Sequence, residues 1–182
     1  MTATTPPVAD LVDVVIEDPA WEALDLPALA SRAAVATLRN IGLRPDGFEL
    51  CLLACDDARI ASLNADFRGR AAPTNVLSWP AADPPPRAPG THPAPPAPGD
   101  ADDPESLGDI AIAHGVCTAE ARAQGKRIED HVTHLIVHAV LHLLGYDHEC
   151  DTDAALMEQV EVSILASLGV DDPYRDGARA PQ

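Results

Sequence analysis

The sequence predicts an α+β domain: a small mixed sheet of four strands packed with four to five helices, with the candidate site on a central long helix. Three observations lead there. Short β-branched or alternating runs are interleaved with stretches whose apolar residues recur every three or four positions. The chain has 182 residues, 46% of them hydrophobic, enough for one domain with its own core. No apolar run approaches the roughly 20 residues that crossing a bilayer requires.

The elements follow in order. Residues 11–17 (LVDVVIE) read as a first strand. Asp25 is placed to cap a helix with Pro27 in its first turn. Its apolar positions are Leu29, Ala33, Val35, Leu38 and Ile41, and Gly42 ends it. Residues 47–54 (GFELCLLA) form a second strand, and Asp56 or Asp57 opens a short helix running through Ile60 and Leu63 to Phe67. Residues 75–79 (NVLSW) and 107–113 (LGDIAIA, with Gly108 early in the run) supply the remaining strands. Helices near 117–124, 129–144 and 153–168 complete a domain spanning 1–174, with a flexible tail at 175–182.

The stretch from Pro80 to Pro104 has a different composition. It holds ten of the eighteen prolines and almost no large apolar side chain. Proline removes backbone donors and fixes φ, so residues 81–104 read as a disordered or polyproline-like insertion that adds little to stability.

Charge and cysteine usage narrow the function classes. Lys and Arg number 12 against 29 Asp and Glu, a net charge of −17. Such a chain is repelled by nucleic acid and by anionic membranes as a whole, so a polyanionic substrate requires a local basic patch. Eleven of the twelve basic residues are arginine, the residue suited to two-pronged phosphate contacts. Cys51, Cys55, Cys117 and Cys150 form no CxxC pair and read as small core residues of a reducing compartment. Met1–Asp10 has neither a basic head nor an apolar stretch, so no secretory signal is expected.

Five of the seven histidines fall between positions 131 and 148, and residues 138–148 read HAVLHLLGYDH. His138 and His142 are four apart, one turn apart on one helix face, which is the spacing two imidazoles need to share a metal ion. His148 would point elsewhere on a continuous helix. Gly145 allows the helix to end in a left-handed turn that brings His148 back. Three neutral imidazoles leave a fourth tetrahedral position open, the pattern of a catalytic zinc site with one Zn2+ per chain. A rival register uses His134 with His138 and His131 a turn earlier. Neither is followed by the glycine break, so His131 and His134 read as surface groups or as partners behind the ligands.

The spacing H-x-x-x-H-x-x-G-x-x-H is also that of metzincin peptidases, whose general base follows the first histidine. Here that position is Ala139, which cannot take a proton. A metallopeptidase would need another base, such as Asp147 or Glu149. A third reading is a binding module that holds its zinc structurally.

The string HAVLHLLGYDH, with LNADFRGRAAPTNVLSWP at 63–80 and LGDIAIA at 107–113, resembles the YbeY family of metal-dependent endoribonucleases. The three blocks stand in the family's order, and the likeness spans about residues 10–170. Trp79 stands where the family usually has Phe, and the proline-rich insertion is longer than expected. The resemblance implies an α+β fold and a zinc ion held by His138, His142 and His148. It implies single-strand-specific endoribonuclease action on RNA, in small-subunit (16S) rRNA 3′-end maturation and ribosome quality control. Its implied partners are the small ribosomal subunit or its proteins, in the cytoplasm and with no membrane. The family's implicated arginine falls on Arg68.

The residues make their own case for Arg68. It flanks Gly69 just after a helix, and a guanidinium fork beside a metal is a fitting clamp for a reacting phosphodiester. Arg70 shares the place. Asn64, Thr74, Asn75 and Ser78 could line the same groove or cap turns. Asp109 could brace a ligand histidine or be a strand-edge charge. His114 is a lesser candidate, and Arg122, Lys126 and Arg127 form a second basic cluster.

Overall fold

Strands β1 (Val12–Ile16), β2 (Phe48–Cys55), β3 (Val76–Pro80) and β4 (Glu105–Ala113) form one sheet in the order β1-β2-β4-β3. The structure is a computed structural model and describes residues 11–175. The reading of Met1–Asp10 lies outside the described residues, as does that of the tail from residue 176 on. β1 pairs with β2 and β2 with β4 in parallel, while β3 runs antiparallel to β4 on the edge. The parallel pairs require crossovers. Helix α1 (Leu26–Asn40) supplies the first, and α2 (Asp57–Arg68) with β3 and the proline-rich segment supplies the second.

Alternation along the strands divides the interior in two. Leu50, Leu52, Ala54, Ile110 and Ile112 join the main core, where α1, α4 (Ile128–Leu143) and α5 (Asp151–Ser167) pack. Leu53, Cys55, Leu77, Ala111 and Ala113 meet Ile60 and Leu63 of α2 in a small second core. Helix α3 (His114–Ala123) follows β4 directly and packs on α4. α4 is apolar around most of its circumference, as a helix enclosed by other elements must be. Leu135, Ile136 and Leu141 are fully buried in it. Truncating any one of these to alanine would cost about 2–5 kcal/mol.

The expected elements are present, with shifts that have physical causes. Asp25 caps α1, accepting from the Ala28 amide at 3.3 Å. The buried face of α1 is Leu26, Ala30, Ala33, Ala34 and Leu38 rather than the face through Leu29 and Val35. The alanines let the helix sit close to α4. A short 3-10 turn at Pro19–Ala23 escaped the periodicity argument because five residues are too few to show a recurring apolar face. It buries Trp21, whose Nε1–H donates to the Cys55 carbonyl at 3.1 Å. β4 begins at Glu105, earlier than expected, because a bulge at Gly108 absorbs one extra residue. Gly108 has φ +125°, and a Cβ there would lie 2.1 Å from the Trp79 carbonyl oxygen, so only glycine fits.

Residues 81–104 differ from a disordered insertion. Apart from an isolated bridge between Asp100 and Asp103 they form no strand or helix, yet they follow a defined path over the domain. Their anchors are polar groups and prolines, which an inventory of large apolar side chains does not register. Gly99 N–H donates to the Gly47 carbonyl at 2.9 Å, and Ala81 N–H to the Leu107 carbonyl at 3.0 Å.

All four cysteines are free thiols. Burial pushes the Cys55 thiol up to about 11 and the Cys117 thiol higher still, so both are inert packing groups. Among the described residues no helix is long and apolar enough to cross a membrane.

Candidate metal centre

The site forms where α4 ends. Gly145 N–H donates to the His142 carbonyl at 3.0 Å and Tyr146 N–H to the Leu141 carbonyl at 3.0 Å. That pair is a Schellman turn, and it needs the left-handed backbone Gly145 supplies at φ +91°. The turn reverses the chain, and Asp147 and His148 come back alongside the last helical turn. The potential ligand nitrogens of His138, His142 and His148 then lie within 4.8 Å of one another. Nitrogens each about 2.0–2.1 Å from one zinc ion stand roughly 3.4 Å apart, within the compass of this cluster.

Hydrogen bonds fix the tautomers of the helical pair. His142 Nδ1–H donates to the Tyr146 carbonyl at 2.9 Å, and His138 Nδ1–H donates to Glu161 Oε1 at 2.5 Å. Both Nε2 atoms are therefore left with lone pairs, and they face each other at 3.0 Å. Two lone pairs held that close repel unless a cation stands between them. The donor set thus fits a metal ion, and the outer bonds to carbonyl and carboxylate are those that orient metal-binding imidazoles.

Glu161 lies on α5 and is fully buried. Burial opposes its ionisation, but hydrogen bonding to His134 and His138 outweighs this and holds the carboxyl well below its ordinary range. The Tyr174 hydroxyl donates to its other oxygen, and His134 Nε2 lies 3.5 Å from the same oxygen. Burial lowers the His134 pKa below the usual imidazole value. His142 is pushed down to about 3, first by burial and then by the neighbouring His138 and His148. It is neutral at pH 7, the form that ligates metal.

Arg68 is the last residue of α2, and Gly69 caps the helix in the left-handed conformation. Its exposed side chain borders the same cleft, about 440 Å³, as the three histidines. Val76 and Ser78 of β3 form one wall, and Ala139 borders the cleft with His138 and His142. Asn64 Nδ2–H donates to the Ala72 carbonyl at 2.9 Å, pinning the loop after Arg68. Asn75 Nδ2–H donates to the Glu120 carboxylate at 3.1 Å. These asparagines hold the loop, and of the four polar residues considered for the groove it is Ser78 that lines it.

Other sequence candidates fall elsewhere. Asp109 is exposed on β4, opposite Cys51 and Trp79. The bracing role considered for it belongs to Glu161. His114 packs edge-on against Trp21 with centroids 5.1 Å apart. His131 and His134 are buried, not surface groups, because α4 is enclosed on most sides. His131 Nε2–H donates to Glu120 at 2.8 Å, while His134 stands behind Glu161. Arg122, Lys126 and Arg127 sit near the opposite end of α4, about 20 Å along the helix from His142. Glu161 was absent from the sequence candidates. Its signal was a lone carboxylate on the buried stripe of Met157, Val160, Ile164 and Leu165.

A family model described as Endoribonuclease YbeY matches residues 17–169. A protein named Endoribonuclease YbeY from Dinoroseobacter shibae is 58% identical over 92% of this chain and 92% of its own length. One of the same name from Cereibacter sphaeroides is 59% identical, covering 90% and 98%. A more distant one from Methylocella silvestris is 42% identical over 91% and 86%. Among solved structures, the solution structure of TM1509 from Thermotoga maritima shares the fold. It matches with a TM-score of 0.50 at 19% identity, over 92% of this chain and 99% of that one.

Proposed function

The chain belongs to the YbeY endoribonuclease family, and from that premise and the cleft's geometry we propose that it is a zinc-dependent endoribonuclease of single-stranded RNA. Its place of action is the cytoplasm, on the 3′ end of 16S rRNA during small-subunit maturation and ribosome quality control. The catalytic domain runs to Tyr174, with 81–104 as an insertion. The observation that carries this reading is the pair of Nε2 lone pairs on His138 and His142, completed by His148 and facing the cleft that Arg68 borders.

The roles follow from the chemistry of each group. His138, His142 and His148 would hold the ion beside the cleft. Zinc held there would supply Lewis acidity for phosphodiester cleavage. Arg68, permanently charged and without a lone pair, binds phosphate and not metal. Glu161 keeps His138 in the ligating tautomer, and the Tyr146 carbonyl does so for His142. Ala139 offers no proton acceptor where a metzincin has its base. Asp147 and Glu149 border the cleft. The chain carries −17 overall, so RNA contact depends on local cations such as Arg68. The acidic remainder suits docking on basic proteins of the small subunit.

The test is single-turnover cleavage of a short rRNA 3′-end strand by zinc-loaded and metal-stripped protein, with casein as the peptidase control. RNA cleavage that requires zinc, with casein intact, is expected. Arg68→Ala should retain zinc and lose turnover by a factor of order 10². Equal RNA cleavage with and without metal would overturn the metal-dependent reading. Casein cleavage by the loaded protein would favour the peptidase.

A further inference from the structure

Residues 81–104 touch the loop that carries His148 ahead of that histidine and the first turn of α5 beyond it. Ahead of it, Pro84 and Pro93 close over Gly145: a Cβ on Gly145 would lie 3.0 Å from the Pro84 Cβ and 3.3 Å from the Pro93 Cβ. His92 Nδ1 hydrogen-bonds the Tyr146 hydroxyl at 2.9 Å, with the two rings edge to face at 5.9 Å. The backbone carbonyl of this same Tyr146 fixes His142. Beyond His148, Arg87 Nη1 stands 2.7 Å from Asp153 Oδ1, and the Gly90 amide donates to that oxygen at 2.7 Å. Both members of the Arg87–Asp153 pair are only 16% exposed, so water screens them less than a surface pair. Arg87 also donates to the Thr91 carbonyl at 2.8 Å, which ties the segment to itself.

A ligand on a loop is only as well placed as the loop. Unless something else orders residues 145–150, metal binding must offset their conformational entropy. A proline-rich segment suits that work, because its φ angles are already fixed and it loses little freedom on docking. We infer that residues 81–104 are a strap that positions the third metal ligand. Its His92 holds the loop before His148 through the Tyr146 hydroxyl, and its Arg87 anchors the segment to the start of α5 through Asp153. The strap rests on the zinc reading above.

The measurement is the zinc dissociation constant of the full chain, by chelator competition at neutral pH, for the parent and the variants Tyr146→Phe, His92→Ala and Arg87→Ala. Each should weaken zinc binding about fivefold, the effect of one net hydrogen bond. Tyr146→Phe with His92→Ala should be no weaker than either alone, since both break the same bond, whereas Arg87→Ala should add to them. Hydrogen exchange at the amides of residues 146–148 in the metal-free protein should quicken in the same variants. Tyr146→Phe removes one oxygen and keeps the buried ring, so it keeps the test intact should the alanine variants fail to fold. If melting points fall while zinc affinity stays within twofold of the parent, the segment is a structural cover and the strap is overturned. If the parent itself binds no zinc, the metal reading falls and the strap with it.

Discussion

The two halves of the metal centre are built by different means. His138 and His142 stand on a helix buried in the main core, and each has its outer nitrogen tied off by a group of fixed position. His148 stands in a loop. Its backbone amide is held by the neighbouring Asp147 carboxylate at 2.6 Å, and its place depends on a glycine turn and the overlying prolines. The backbone and the outer hydrogen bonds of the helical half are therefore set by the same packing that stabilises the fold. The loop half is organised by local backbone geometry and by a segment that crosses it. Such an arrangement lets one side of a site be rigid while the other admits substrate.

The largest expected effect breaks the helical half outright. His138→Ala or His142→Ala leaves two imidazoles, a poor zinc site, and one zinc per chain should fall to trace occupancy in metal analysis of folded protein. Full occupancy in either variant would place the ion elsewhere. Next comes the group behind the pair. Glu161→Gln keeps the shape of the side chain but removes the charge that orients His138. Zinc affinity should fall about 10- to 100-fold by chelator competition, the usual cost of losing such a partner. An unchanged affinity would show that helix packing alone organises the pair.

Acid should expose the same asymmetry in the metal-free protein. The unfolded chain protonates His142 near the ordinary 6.5, whereas the folded chain does so only near 3. Between those values the unfolded state binds more protons, so stability falls as pH falls through that window. Glu161 acts at lower pH and in the same direction, since its depressed folded pKa means its contribution is lost only as pH drops below the usual carboxylate range. Melting temperatures of metal-free protein between pH 7 and pH 4 should decline steadily, and His142→Gln should flatten part of the slope. A flat profile in the parent would mean that His142 titrates normally.

How far the sequence was readable follows the same division. The clustering of the three histidines was legible because each of its determinants is local: the four-residue spacing, the glycine three residues after His142, and the helix boundaries. The four strands were legible by alternation and β-branching. Glu161 was not, since it lies 23 residues from His138 on another helix and only packing brings them together. The burial of His131 and His134 was hidden for a related reason. A helix with apolar residues around most of its circumference has no polar face to mark what its neighbours cover. The path of residues 81–104 was hidden because prolines and single polar contacts leave no periodic trace.

The smallest effect on the metal belongs to the rival register. His131 sits two turns before His138, about 10 Å along the helix, and its Nε2–H is committed to Glu120. Glu120 also receives the Asn75 amide, so the three residues join α4 and α3 to the start of β3 without touching the ligands. His131→Gln should leave zinc affinity unchanged within error. His131→Ala, by contrast, should lower stability by about 1–3 kcal/mol, because the partly buried Glu120 carboxylate then loses a charge-assisted partner. Denaturant unfolding and chelator competition on the same preparation separate the two quantities. A loss of zinc with stability intact would move the metal centre one turn toward the helix N-terminus and undo the assignment of the two halves.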